Sequence, residues 1–249
     1  MIDLVRMSCR AGLTPDDVAF LGGVLGETNT DPIHAAGPAG SLALDNPIVR
    51  LLADANTRDL LLDDAAVRRA LLEQPEAVRV SPRLYFYVLV RHALRDCGIN
   101  DRDVADYIAS VLVAHGSITA QPATGHRGAM FYVTSLLEQM THAGYAERFL
   151  LSVRLADLAL LATGVFADNI RFREKRRAAP GLAFYESVGR AQYRLAGGHH
   201  LAQEFQLEHV YQTLADVFPA ARRALNHFSE HLVFLDGPTA PDLFASGPN

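Results

Sequence analysis

Four side chains in the C-terminal third of the sequence have the types and the spacing of a metal site. His200, Glu204 and Glu208 follow one another at intervals that place side chains on one face of a helix. His231 lies at the edge of the apolar face of the next predicted helix. Imidazole and carboxylate groups are common ligands of divalent metals. If the four converge, they could hold one divalent metal in a metal-dependent enzyme.

The same residues have a simpler interpretation as a polar seam between two helices. Each imidazole or carboxylate would then be hydrogen-bonded to a neighbour, as polar groups at helix contacts usually are. Di-iron helical bundles carry Glu-x-x-His pairs, and this sequence contains none. We favour the seam, and with it no cofactor, and we keep a divalent metal as the alternative.

A second candidate is a run of cations at residues 171–177, RFREKRR, with five basic side chains and one acidic one. Such a cluster suits a phosphate group or an acidic protein surface. Basic side chains near the end of a helix also complement its dipole without any partner. The predicted ligand-binding residues here are Arg171, Arg173, Arg176 and Arg177.

The third candidate is the predicted helix over 182–197, which carries Tyr185, Gly189 and Tyr193 along one face. A glycine inside a helix usually marks the close approach of another backbone or of a ligand. Tyr185 and Tyr193, with Arg190 on the neighbouring face, are therefore predicted to bind a ligand. The alternative is a tight crossing of two helices.

Two charged residues interrupt the most apolar predicted helix, 145–167. This helix is apolar on all sides, so we predict that it is buried at the centre of the fold. Arg154 and Asp157 are three residues apart and can pair on one face. Buried charges need partners, so we predict an internal ion pair. The alternative is a site around Arg154 for a small anion or a cofactor carboxylate.

Helix signals recur along the chain and predict the elements that position these candidates. Thr14-Pro15 and Ser81-Pro82 are typical of helix starts, and Pro219 fits the first turn of a last helix. Apolar residues recur with helical periodicity between such signals. We therefore predict an all-α protein, a bundle or array of about ten helices around the buried central helix.

Composition shifts suggest three parts of the chain. Residues 1–45 combine an N-terminal helix with a flexible arm rich in Gly and Pro. Residues 46–235 form the predicted helical core domain. Residues 236–249, DGPTAPDLFASGPN, read as a disordered tail.

The bulk composition excludes some classes of function. The formal net charge of the 249-residue chain is −5, which argues against a protein that mainly coats nucleic acid. The apolar run 155–166 is too short to cross a bilayer, and the N-terminus lacks the apolar core of a signal peptide. We therefore expect a cytoplasmic protein with no membrane association, and we leave a homo-oligomer open. Nucleotide-binding and nucleophile-elbow motifs are absent.

Three stretches carry a resemblance to known sequences: 81–96, SPRLYFYVLVRHALRD; 160–166, LLATGVF; and 179–196, APGLAFYESVGRAQYRLA. They resemble an uncharacterised group of all-helical bacterial cytoplasmic proteins, over most of residues 45–235. The resemblance implies a helical fold and a bacterial cytoplasm, and it assigns no activity or site residue.

Two functional hypotheses follow. The first is a helical binding module that meets an acidic protein partner or a small anionic ligand through its basic residues. The second is a metal-dependent enzyme with a ferritin-like or haem-oxygenase-like bundle and a His/Glu site. Both bundles are analogies of fold alone.

Overall fold

The described parts of the chain fold into α-helices. The computed structural model describes residues 4–26, 47–73, 79–119, 129–177 and 180–232. These ranges contain no strand and twelve helices: α1 (Pro15–Val24), α2 (Pro47–Ala53), α3 (Ala55–Leu62), α4 (Ala65–Glu73), α5 (Pro82–Asp96), α6 (Arg102–Thr119), α7 (Ala129–His142), α8 (Tyr145–Gly164), α9 (Ala167–Arg177), α10 (Leu182–Gly197), α11 (His200–Glu204) and α12 (Glu208–Leu232). The predicted all-α class is confirmed.

One buried carboxylate connects the starts of α1 and α5. Thr14 caps α1, and the side chain of Asp17 accepts a hydrogen bond from the Thr14 amide at 2.7 Å. Asp17 also accepts bonds from the amide and the hydroxyl of Ser81, at 2.7 and 2.8 Å. Ser81 in turn caps α5 through the Leu84 amide. Both predicted start signals therefore act as caps, and Asp17 holds them together.

The predicted central helix corresponds to α8, which is buried along most of its length. It packs against α7, α9, α10 and α12. Two backbone carbonyl oxygens in its last turn, those of Thr163 and Gly164, accept hydrogen bonds from the side-chain amide of Asn226 on α12. α8 ends at Gly164, three residues before the predicted boundary, and α9 begins at Ala167.

Two glycines allow the central helices to approach closely. A Cβ atom at Gly189 of α10 would lie 2.5 Å from the Phe218 ring and 3.1 Å from Ala159. A Cβ atom at Gly164 of α8 would lie 2.7 Å from Leu225. Only glycine fits at such contacts without displacing the neighbour. The two positions bring α8, α10 and α12 together.

The C-terminal helices differ from the prediction at Pro219. It lies inside the long helix α12 and does not begin a new one. A proline lacks the N–H that would bind the carbonyl oxygen four residues earlier, here that of Ala215. Arg190 of α10 supplies the missing donor, with its Nε atom 3.1 Å from that oxygen. A donor from a neighbouring helix thus satisfies the backbone where the proline interrupts it.

The segment before α1 is fixed to the helical core. Arg10 forms ion pairs with Asp59 of α3 at 3.1 Å and with Asp106 of α6 at 3.2 Å, and a third with Asp103. The Cys9 amide donates to Asp106 at 2.8 Å. The predicted flexible arm, beyond residue 26, and the predicted tail lie outside the described residues. None of the helices described combines the length and the apolar composition that crossing a membrane requires.

Candidate functional site

A carboxylate at the centre of the bundle is bound by tyrosine hydroxyls. Asp157 of α8 is 2% exposed and accepts hydrogen bonds from Tyr107 Oη at 2.9 Å and from Tyr193 Oη at 2.7 Å. Tyr211 packs on both rings, with its ring centroid 5.4 Å from that of Tyr107 and 5.9 Å from that of Tyr193. Burial raises the pKa of Asp157 to about 7, although both hydroxyls act in the opposite direction. We call these four residues the Asp157 cluster.

The predicted ion pair between Arg154 and Asp157 is not formed. Arg154 is half-buried and lies beyond salt-bridge distance of the carboxylate, which Tyr107 and Tyr193 bind instead. Neutral hydroxyl donors can satisfy a buried carboxyl group without bringing a second charge into the core. The spacing of Arg154 and Asp157 on α8 could not reveal donors that come from two other helices.

The tyrosines of α10 face the core. Tyr185 and Tyr193, both predicted to bind a ligand, are 4% and 0% exposed. Gly189 between them lies against Phe218 of α12. This geometry favours the alternative interpretation of the stripe, a tight crossing of helices.

Helix α9 carries four cations, which we call the α9 basic face: Arg171, Lys175 and Arg176 are exposed, and Arg173 is half-buried. Phe172 lies among them with 54% of its surface exposed, and the Arg176 guanidinium carbon lies 4.7 Å from the centre of its ring. Arg171 pairs with Asp168 at 2.8 Å on the surface. The other three cations form no ion pair with any described residue. The side chain of Arg177 lies outside the described part.

One of the two carboxylates of α9, that of Glu174, lies at the start of the next helix, α10. The carboxylate of Glu174 lies against Gly181, the residue that precedes α10 and provides no side-chain cap. A negative charge at this position is favoured by the positive end of the α10 dipole. Glu174 therefore stabilises a helix start, and the α9 basic face keeps its positive charge.

Two arginines of α10 belong to a different surface. Arg190 binds the carbonyl oxygen of Ala215, and Arg194 forms an ion pair with Asp216 at 3.1 Å. Both acceptors lie on α12. Arg190, predicted to bind a ligand, therefore has a structural partner that sequence reasoning did not identify.

Of the four residues considered as metal ligands, the three whose side chains the structure describes are not brought together. His200 and Glu204 are exposed on α11, while Glu208 accepts a hydrogen bond from Gln212 at 3.0 Å. His200 stacks on the Tyr145 ring, with the centroids 5.4 Å apart. The side chain of His231 lies outside the described part. Among the side chains that are described, no group of three or more His, Cys, Asp or Glu is arranged to hold a metal ion.

Sequence reasoning missed a polar cavity of about 490 Å³ where α5, α6 and α12 meet. Asp63, which follows α3, lies between two arginines there: Arg91 binds it through two nitrogens at 2.8 and 3.0 Å, and Arg102 Nη2 lies at 2.9 Å. His209 Nε2 lies 2.6 Å from a carboxylate oxygen of Asp101. The lining residues include Asp63, Arg91, Arg95, Asp101, Arg102 and His209. Only the placement of Arg91 and Arg95 on one face of α5 was visible in the sequence.

Comparisons of the chain with protein-family models, with curated proteins and with solved structures found no match.

Proposed function

We propose that this protein is a helical binding module that docks an acidic segment of a partner protein on the α9 basic face. One observation carries the proposal: α9 carries the exposed Lys175 and Arg176 and the half-buried Arg173, and none of the three has an ion-pair partner in the described part of the chain. Cations on a surface attract and orient a partner of opposite charge.

The charge of α9 contrasts with that of the whole chain. Its eleven residues hold five cations and two carboxylates, Asp168 and Glu174, in a chain of net charge −5. Both carboxylates are engaged, one with Arg171 and the other at the start of α10. An acidic peptide complements this local charge, whereas a long nucleic acid would also meet the acidic remainder of the molecule.

Phe172 adds an apolar contact within the cations. Aromatic and arginine side chains are enriched in protein interfaces, where they supply most of the binding free energy. The stacking of Arg176 on Phe172 presents both types of side chain side by side. The partner segment should therefore combine carboxylates with at least one apolar side chain.

The test uses a fluorescent acidic peptide rich in Glu with interspersed Phe, and its anisotropy as the full chain is added. Replacing Arg171, Arg173, Lys175 and Arg176 by Ala should weaken binding about tenfold or more, because several charge contacts are lost at once. Phe172→Ala should weaken binding without changing its dependence on salt, since it removes no charge.

The matched control replaces four exposed arginines on other helices by Ala: Arg69, Arg148, Arg194 and Arg223. This variant has the same net charge as the α9 variant and should bind the peptide as the unchanged protein does. Equal loss of binding in both variants would show attraction to net charge alone and would refute docking on α9.

A further inference from the structure

Helix α10 carries a row of apolar residues on a side that is separate from its buried face. The buried face contains Tyr185, Gly189 and Tyr193 and contacts α8 and α12. The four apolar residues of the row recur at positions i, i+4, i+7 and i+11, a spacing that aligns side chains along one side of a helix. We call them the α10 stripe: Phe184, Val188, Ala191 and Leu195. Because a helix rises about 1.5 Å per residue, the stripe is about 16 Å long.

The α10 stripe is open to solvent at both of its ends. Leu195 is 61% exposed and Phe184 is 40% exposed. Between them, Ala191 is exposed and Val188 is half-buried. Single exposed apolar side chains are common on protein surfaces, whereas a row of them is typical of a surface that another chain covers. The helical spacing of the row suits a partner helix that lies along it.

The charges of α10 indicate the chemistry of such a partner. The helix has one carboxylate, that of Glu186, which lies 3.4 Å from Arg222 of α12. Its two arginines contact α12 as well, Arg190 at the carbonyl oxygen of Ala215 and Arg194 at Asp216. No free carboxylate of α10 would therefore repel an acidic partner on the stripe.

The α10 stripe begins beside the α9 basic face. The carboxylate of Glu174 on α9 lies against Gly181, three residues before Phe184. Burial raises the pKa of the Tyr185 hydroxyl, and the positive charge of Arg173 opposes this rise from a position near the first turn of α10. The apolar stripe and the cations thus lie on consecutive helices that are in contact, and one partner segment can reach both.

A second copy of this chain fits the stripe less well than an acidic helix does. Two copies paired through α10 would bring the cations of α9 and α10 of each copy close to those of the other, and like charges oppose association. A helix with carboxylates beside its apolar residues would meet the same cations with the opposite charge.

We infer that the α10 stripe docks an amphipathic helix of a partner protein, whose acidic residues meet the α9 basic face. The inference rests on the proposed function and gives the acidic partner segment a form: about three turns of helix, with apolar residues spaced as those of the stripe are. The α9 basic face attracts the segment, and the stripe selects it by the spacing of its apolar side chains.

The test compares two fluorescent peptides of identical composition, built from Glu, Ala and Leu, by their anisotropy as the full chain is added. In the first peptide the leucines recur at i, i+4, i+7 and i+11, and in the second they are distributed around the helix. The first should bind about tenfold more tightly, because only its leucines can be buried together on the stripe. Leu195→Glu should abolish this preference, since it removes the most exposed apolar side chain of the stripe and repels the acidic peptide.

The matched control is Leu60→Glu, because Leu60 of α3 is 66% exposed and the change has the same effect on net charge. This variant should keep the preference. Equal binding of both peptides to the unchanged chain, or a preference that survives Leu195→Glu, overturns the inference and leaves the docking of an acidic segment on α9 intact. If neither peptide binds, the proposed function fails as well. A dimer in sedimentation velocity that Leu195→Glu dissociates would also overturn the inference, since a second copy would then occupy the stripe.

Discussion

Asp157 is a carboxyl group that the fold keeps from water and surrounds with phenol hydroxyls. Tyr107 and Tyr193 donate to it, and Tyr211 closes the cluster from α12. The half-buried Arg154 also favours its charged form. Because burial outweighs these effects, the protonated carboxyl is favoured up to a pH of about 7.

This raised pKa predicts a stability that falls as pH rises. An unfolded chain ionises Asp157 near its ordinary pKa, whereas the folded chain holds the proton to about pH 7. The unfolded state therefore gains stability as pH rises between those values, by roughly 4 kcal/mol relative to the folded state. Urea unfolding should show this fall for the unchanged chain and its absence for Asp157→Asn.

The matched control for that measurement is Asp216→Asn, since Asp216 is an exposed carboxylate on α12. It should follow the pH dependence of the unchanged chain. If Asp157→Asn also follows it, then Asp157 is ionised in the folded protein and the tyrosine hydroxyls outweigh burial.

At the scale of elements, the crossing of α10 with α8 and α12 depends on the lack of a side chain at Gly189. Gly189→Ala should place a methyl group against the Phe218 ring and Ala159, and lower the free energy of unfolding by about 1 to 3 kcal/mol. Chemical denaturation measures the change. Ser187→Ala, on the exposed face of the same helix, serves as control and should have little effect. An equal effect of both changes would contradict a tight contact.

Local signals along the chain were enough to predict most helices, because caps and apolar periodicity are properties of neighbouring residues. Thr14, Ser81 and the all-round apolar α8 are examples. The predicted helix start at Pro219 is wrong, because Arg190 of α10 supplies the donor that makes a proline tolerable inside α12. The partners of Asp157 could not be predicted for the same reason, since Tyr107 and Tyr193 lie 50 and 36 residues away from Asp157 in the sequence. The polar cavity is likewise formed by residues from several helices.

At the scale of the whole molecule, the Arg10 side chain joins the segment before α1 to several residues of the core. Arg10 binds Asp59 and Asp106, both buried, and the more exposed Asp103. Cys9 beside it is buried and its amide donates to Asp106. Residues distant in sequence, on α3 and α6, are therefore held together through residue 10.

Arg10→Met should leave Asp106 without its cation and Asp59 with only Arg58, 3.6 Å away, and lower the free energy of unfolding by about 3 to 5 kcal/mol. Amide hydrogen exchange should also accelerate at Cys9, whose amide donates to Asp106, and at Gly12, whose amide donates to the carbonyl oxygen of Ser8. Arg69→Met, at an exposed position on α4, is the control. Unchanged exchange at Cys9 in Arg10→Met would mean that apolar contacts alone hold the segment.

The contact between Arg190 and the carbonyl oxygen of Ala215 makes the effects of two positions interdependent. If Arg190 is replaced while Pro219 remains, that oxygen loses its donor inside the protein. If Pro219 is replaced first, the helix can supply its own N–H, and Arg190 becomes free to vary. The same pair of substitutions therefore passes through a damaged or an intact intermediate according to the order in which they occur. The range of residues tolerated at position 190 depends on which residue occupies position 219.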